Sequence, residues 1–597
     1  MSLTRQKAGN LTYKNDGTGA VVRTIKDKLG ETVSVKDFGA VGDGVTDDTA
    51  AIQAALDSGT KVIFPKNTYV ISSKITGMQT SEVDCNHSKF TGAGYFSFEG
   101  SYTNLGKVLT ATVAVDDLTI SIASSGLVEG DLIVLHDTAD NSFSNHRAEY
   151  REGEFLEVLN SDATTVTLKS PTRATYSTIA NVDVIKVTPI TINFKNAEFD
   201  TTGSRMLEIA WNRNSTIENT TGSCTGVYGL YVDRSFNTRI HNCNVTQNAV
   251  AASGTDYGIS IVNSQNTSVK DCTLFAIRHG FATGGTSAEG SVPVRNLVVS
   301  NLICHSTDSH SIDTHANSDD VIFTRCKAYN GFGIAGKNIT ISQCYSVRTD
   351  NTQPAYMYTE VVGGLMQILY SKAKLNSLSR FVGYNSTTTM GQVTEPMHYK
   401  IVNCDVDCNN FAGSLIVLGN YGDPTLVTEW GHDVKGLRLT NAGSIDRVVS
   451  NNTATVTGQP VQPVAASYLK LDDVNIDDSS GLTFWVYSDA DGYTTGTVVT
   501  SPATTDSASL TVSAGGYVSS SPLSMSFPAT LNLTPPVMTT FSGASVSGST
   551  YLFTTITSTT TTASTIYLTT GHSTITMGGN RTATVQGMAY VKEYIMP

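Results

Sequence analysis

The sequence predicts an all-β protein built around a parallel β-solenoid, with one short helix near its start. Three observations carry this prediction. A short apolar unit recurs through the middle of the chain at an irregular period. A single amphipathic helix pattern stands immediately before a long β-rich region. The composition is poor in charge, 15% against about 25% in ordinary soluble proteins, with 51 Gly among 597 residues.

The helix is the most legible element. In residues 33–71 a short strand at Val33–Val35 leads into the turn Gly39-Ala40-Val41-Gly42-Asp43-Gly44. Thr46 or Asp47 is placed to cap a helix whose apolar face is Ala51, Ile52, Ala55 and Leu56. Gly59 ends it, and Val62-Ile63-Phe64 and Tyr69-Val70-Ile71 read as strands. Such a helix can cover the open end of a β stack. The glycine run is not a phosphate loop, because no Gly-Lys-Ser/Thr follows it.

Residues 110–190 read as an inserted β module. Val113, Val115, Leu118, Ile120 and Ile122 alternate, and Leu132–Leu135 and Val166–Leu168 read as further strands. The repeat follows. Its instances are Phe194/Ala197/Phe199, Ile217/Thr220/Gly222, Ile240/Cys243/Val245, Val269/Cys272/Leu274, Val299/Leu302/Cys304, Phe323/Cys326/Ala328 and Ile341/Cys344/Ser346. Ile401/Cys404/Val406, Val434/Leu437/Leu439 and Leu471/Val474/Ile476 come after a gap. Middle residues from Ala197 to Cys344 are spaced 23, 23, 29, 30, 24 and 18, too ragged for a consensus helical repeat. Stacked β coils accommodate such variation in their corners, and about a dozen coils would make a rod of ~50–60 Å. The cysteine column needs no chemistry, since Cys is a compact hydrophobe suited to a narrow core. The step of 60 from Cys344 to Cys404 leaves room for two or three less regular turns.

The remaining organisation is a polar stem at 1–32, the start of the solenoid at 33–109, its main body at 191–480, and a C-terminal β region at 481–597. Residues 501–597 hold four charged residues, Asp506, Arg581, Lys592 and Glu593. So uncharged a surface suits a β-sandwich or interwoven β-prism partly buried between subunits.

Several classes are excluded. The balance of 39 Lys+Arg against 52 Asp+Glu, net −13, argues against nucleic acid. No apolar run approaches ~18 residues, so no membrane insertion is expected. The first residues contain no apolar secretory segment. Nine Cys without a CxxC pair read as reduced and buried, the pattern of a cytosol-made protein. No tight acidic or Cys/His cluster suggests a metal, and no cofactor is expected.

The segment VSVKDFGAVGDGVTDDTAAIQAAL followed by VIFPKNTYVIS resembles the start of the pectate-lyase-like β-helix of bacteriophage tailspikes. The Cys-bearing coils at 190–476 are similar in kind. The resemblance implies a right-handed parallel β-helix, a homotrimer, a virion location with attachment to the phage tail or baseplate through the N-terminus, and synthesis in the host cytoplasm. It also implies endo-acting cleavage of a bacterial capsule, O-antigen or exopolysaccharide, and the C-terminal region would then serve trimerisation and carbohydrate binding.

Reactive side chains concentrate in two adjacent repeats. Four of eleven histidines, His279, His305, His310 and His315, fall within 37 residues. Aligning the coils on Cys272, Leu302, Cys326 and Cys344 puts Arg278, Asp308, Phe332 and Asp350 six positions on, in one expected column. Asp313 and His315 are two apart in a strand-like stretch and so share a face. A carboxylate orienting an imidazole beside an arginine can do acid–base work. Hydrolysis needs two carboxyl groups. Asp308 and Asp313 are the first expectation, with Asp350, Glu289 and Glu360 in reserve. Elimination from a uronate is the alternative. It needs a cation at the carboxylate and a base, for which Arg278, His279, His315 and Tyr356 or Tyr358 are candidates. His305 is not expected to be catalytic. Trp211, Tyr228, Tyr231, Phe332, Tyr356 and Tyr358 are candidate sugar-stacking rings and Glu360 a further substrate contact. A non-catalytic receptor-binding rod is the remaining alternative.

Overall fold

The computed structural model describes residues 11–441, apart from 60, 79–80, 124–125, 141–146, 148, 249–255, 349–351, 385–396, 419–420 and 423–429, and beyond 441 only strand segments. Two compact units emerge, residues 1–140 with 151–303 and residues 141–150 with 304–597.

In the first unit the predicted helix is Thr49–Ser58, with Ile52, Ala55 and Leu56 buried and Gly59 at its C-terminus. Its cap differs from the expectation. Asp48 occupies the N-cap position without capping the helix through its side chain. Its carboxylate instead accepts from the amides of Val41 (2.5 Å) and Gly42 (3.0 Å), closing the glycine turn. Gly42 has φ +65°, and a Cβ there would lie 2.9 Å from Tyr69, so the turn requires glycine.

Parallel coils follow, in the register the repeat implied. Phe194 pairs with Ile217, Ile217 with Ile240, Ile240 with Val269 and Val269 with Val299. Inward residues are buried and their strand neighbours point outward, as the period of two demands. Corners use left-handed residues, mostly asparagine. Asn219 (φ 50°) donates its amide to Asn196 at 3.1 Å, and Asn242 does the same to Asn219, so the corners stack as an amide ladder.

The inserted module is a six-stranded antiparallel sheet built from Ser101–Asn104, Val182–Thr188, Leu132–Asp137, Gly153–Ser161, Thr165–Leu168 and Thr119–Ser121, in that spatial order. It starts before the expected boundary at 110, because Ser101–Asn104 pairs with Ile185–Thr188. Ile120, Ile122, Val113 and Val166 lie in its core. Val115 and Leu118 do not. They are exposed, in a stretch held by turns rather than by a continuous strand.

In the second unit Phe323, Ile341, Ile368, Ile401, Val434 and Leu471 pair in succession. The gap between Cys344 and Cys404 holds one coil rather than two or three. Tyr345 pairs with Lys372 and Lys372 with Asp405, and the extra length goes into the 14-residue strand Tyr356–Leu369 and the connection after it. All nine cysteines are free and buried. Burial pushes the Cys404 thiol up to about 12, which keeps it protonated and inert. In the C-terminal region the described strands form antiparallel sheets, one of five strands drawn from Leu482–Tyr487, Tyr493–Val499, Ser507–Ser513, Asn580–Gln586 and Met538–Thr540.

Candidate functional site

The second unit gathers five side chains into one cluster, three from its coils and two from the segment 141–150. Strand Ile312–Asp313 pairs with Phe332-Gly333 of the next coil, which fixes Asp313 above Gly333. Gly333 leaves room for the carboxylate, since a Cβ there would stand 2.2 Å from Asp313 Oδ1. The expectation that Asp313 and His315 share a face holds, with His315 Nε2 3.2 Å from Asp313 Oδ2.

The opposite ring nitrogen of His315 meets a residue from a distant part of the sequence. The Tyr150 hydroxyl lies 3.1 Å from His315 Nδ1. An ionised Asp313 accepts from Nε2–H, which leaves the Nδ1 lone pair to accept the phenolic proton. Tyr150, His315 and Asp313 thus form one hydrogen-bonded chain. The Tyr150 ring is seated against Ala316 and Val362. Burial pushes its phenol well above the ordinary tyrosine range, opposed by the positive charge of Arg147.

Arg147 completes the cluster. Its Nε donates to Glu360 Oε1 at 3.2 Å, and its guanidinium carbon lies 5.8 Å from the Tyr150 ring centre. The Glu360 side chain is 5% exposed and that of Arg147 31%. A carboxylate so buried is sustained only by such a partner. Burial works against the Arg147 charge, but Tyr150, Glu360 and Asp313 outweigh it and raise its pKa.

The remaining predicted residues sit elsewhere. Asp308 is exposed in the bend between Ser306 and Ile312, and Phe332 pairs with Ile312, so Asp308 and Phe332 do not share a column. The extra residues of that bend break the six-residue alignment. Asp350 lies outside the described residues. Arg278 and His279 belong to the first unit. Arg278 donates to the Tyr257 hydroxyl at 3.0 Å, and the buried His279 ring stacks on Tyr257 at 5.7 Å. In that unit Glu289 accepts from the Tyr102 hydroxyl at 2.9 Å. His305 stacks on Tyr329, and burial lowers its pKa.

Four of the expected sugar platforms are corrected. Trp211, Phe332, Tyr356 and Tyr358 are at most 2% exposed, so their ring faces pack in the core and offer no stacking platform; the Tyr150 ring, 1% exposed, is likewise packed in the core. Trp211 is held between the Tyr102 ring and the Arg234 guanidinium. Tyr228 and Tyr231 are half-buried, with Arg205 over both rings. Glu360 holds Arg147. Among the described residues no three His, Cys, Asp or Glu gather as a metal-ligand set.

Sequence reasoning missed Arg147 and Tyr150. They fall within the span of the inserted module, and Tyr150 meets His315 across 165 residues of sequence. No local pattern reports such a contact.

Comparison with known proteins places the fold. Residues 224–475 match the family described as Gp49, pectin lyase-like, and residues 32–109 match rhamnogalacturonase A/epimerase, pectate lyase-like. The tailspike protein gp49 of Pseudomonas phage LKA1 superposes with TM-score 0.65 at 22% identity, over 94% of this chain and all of that one. The gp54 tailspike of Acinetobacter baumannii bacteriophage AP22, solved in complex with A. baumannii capsular saccharide, superposes with TM-score 0.63 at 17% identity, over 99% of each chain. The tail spike protein of an Escherichia phage is 48% identical over 61 residues, 10% of this chain and 8% of that protein. The capsule K30/K69-specific depolymerase 1 of Klebsiella phage K5-2 is 47% identical over 53 residues, 8% and 7% of the two chains. The matched segments thus span less than a tenth of these two curated relatives. Residues 32–109 and 224–475 thus carry pectate-lyase-like family matches, and the chain shares the fold of these tailspike structures.

Proposed function

We propose that this chain is a phage tailspike that cleaves a uronate-containing bacterial surface polysaccharide by β-elimination at Tyr150, His315 and Asp313. The observation that carries this reading is the hydrogen-bonded chain Tyr150–His315–Asp313 with a guanidinium beside it. His315 takes the phenolic proton, and Asp313 stabilises the imidazolium that forms. Tyr150 is 1% exposed and burial disfavours its phenolate, which the positive charge of Arg147 counters; once formed, the phenolate removes the C5 proton of the uronate. The electron pair from that C–H bond forms the C4–C5 double bond as the C4–O bond breaks. Tyr150 returns the proton to the departing glycosidic oxygen, and His315 then restores the phenol's own proton. The positive charge of Arg147 favours the anionic transition state. The tailspike neighbours, one of them bound to capsular saccharide, support surface polysaccharide as the substrate class.

Hydrolysis is the second reading. One observation favours it: the charges of both Glu360 and Asp313 act on Arg147, so two carboxylates serve one cluster. Against it, Glu360 is committed to Arg147 and Asp313 to His315. The experiment that tests the choice is digestion of a purified surface polysaccharide, watched for the ultraviolet absorbance of an unsaturated uronate. Its growth in step with cleavage supports elimination, and cleavage without it refutes elimination.

The same reading makes the assembly a homotrimer, locked by the weakly charged C-terminal region and attached to the phage tail through the N-terminus.

A further inference from the structure

The left-handed corner preceding the inward column is filled by Asn219, Asn242, Asp271 and Asn301 in the first unit and by Asn403 in the second. Three consecutive coils of the second unit depart from this. Arg325, Gln343 and Tyr370 occupy the corner, with φ of 53°, 55° and 50°, and all three are exposed. After glycine, asparagine adopts this conformation most readily, so large side chains there impose a cost that the ladder elsewhere avoids.

The strands that follow these corners are Lys327–Tyr329, Tyr345–Val347 and Lys372–Lys374. Lys327 pairs with Tyr345 and Tyr345 with Lys372, while Tyr329 pairs with Val347 and Val347 with Lys374. Their middle residues, Ala328, Ser346 and Ala373, are buried, so the flanking residues face outward. Lys327 Nζ lies 4.6 Å from the Tyr329 ring centre and 5.4 Å from that of Tyr345. Segments 325–329, 343–347 and 370–374 carry four cations, Arg325, Lys327, Lys372 and Lys374, and no carboxylate, on a chain of net charge −13. Lys372 reaches Asp405 of the following coil at 3.2 Å, with both side chains well exposed. Lys374 likewise pairs in register with Asp407 of that coil, so four cations meet two carboxylates here, and on a chain of net negative charge this tyrosine-bearing face keeps a positive surplus that attracts a polyanion locally.

We propose that this face binds the anionic polysaccharide outside the catalytic cluster, through its lysines and the hydroxyl edges of Tyr345 and Tyr329. The inference rests on the acidic substrate of the preceding reading. Binding of this kind weakens with added salt.

The test uses the full-length protein carrying Tyr150→Phe, so that polymer stays whole. Titration calorimetry with polygalacturonate and with neutral dextran is run at low and high salt, on this protein and on a second form that also carries Lys327→Glu and Lys374→Glu. Polygalacturonate is expected to bind and dextran not, and the two reversals are expected to weaken binding at least tenfold and flatten its salt dependence. Absence of polygalacturonate binding, equal binding of dextran, or unchanged affinity after the reversals overturns the proposal. So does a change of oligomeric state by light scattering without loss of affinity, which assigns the face to contact between copies. Lys374→Ala, at an exposed position, gives a smaller loss in the same direction and replaces the reversals if they misfold. Binding without cleavage by the unmodified protein refutes the relay and leaves this face standing. Cleavage with unchanged affinity after the reversals refutes this face alone.

Discussion

The Tyr150 hydroxyl lies 3.1 Å from His315 Nδ1, while His315 Nε2 lies 3.2 Å from Asp313. Removing only the phenolic oxygen isolates this relationship. Tyr150→Phe retains the ring against Ala316 and Val362 and abolishes proton transfer. Turnover on the polysaccharide is expected to fall about 10²–10⁴-fold, with an unchanged melting temperature. Steady-state kinetics beside a thermal melt checks this, and near-normal turnover in a folded variant removes Tyr150 from the mechanism.

Gly333 makes a sharper geometric demand. A methyl group there would sit 2.2 Å from Asp313 Oδ1 and 3.4 Å from the His310 ring. Gly333→Ala is expected to move the carboxylate off His315, lowering kcat with little change in KM. A matching rise in KM would show a general distortion of the groove instead.

Arg147 and Glu360 form a pair whose halves are unequal in burial. Arg147→Ala leaves a buried carboxylate without that partner and is expected to cost about 1–3 kcal/mol of stability. Glu360→Gln in the same chain is expected to recover part of this. Denaturant unfolding of the two single variants and the double variant measures the coupling, and strict additivity would contradict a direct interaction.

How far the sequence alone could reach is visible in particular residues. Ile52, Ala55 and Leu56, the register of Ile217 on Ile240, and the burial of Cys243 and Cys326 all follow from local periodicity, because each coil repeats the environment of its neighbour. Asp313 and His315 were legible from their spacing of two, although the strand ends at Asp313 and His315 lies just past it. Arg147 and Tyr150 were not, since their partners are set by the path of a long insertion. Asp308 failed because a bend of unpredictable length shifted the alignment. Phe332, Tyr356 and Tyr358 failed because aromatic character does not say which face of a coil a residue takes.

The cysteine column yields a stability prediction separate from catalysis. Cys326→Ser puts a hydroxyl into an apolar column and is expected to cost about 1–3 kcal/mol. Activity well below the melting temperature is expected to survive. Unfolding curves and activity assays check the two halves, and labelling of Cys326 in the native protein as fast as in unfolded chain would contradict its burial.

At the hairpin turn of the module, Asp162 accepts from the amides of Thr164 and Thr165, and these bonds lower its pKa to about 2. Its folded value is below its unfolded one, so its contribution is present above the ordinary carboxyl range and is lost as pH falls toward 2. Asp162→Asn is expected to remove that part of the acid sensitivity. Hydrogen exchange at Thr164 and Thr165 between pH 4 and about 2 follows it. Equal acid dependence in both proteins would refute the assignment.

The central claim is elimination at the Tyr150–His315–Asp313 relay, and mass spectrometry of fragments from a purified surface polysaccharide tests it most directly. Elimination adds no water across the broken bond, so the account predicts new non-reducing ends one water lighter than the intact repeat, absent when Tyr150→Phe is used. New ends carrying a full water at every cut would show hydrolysis and contradict the account.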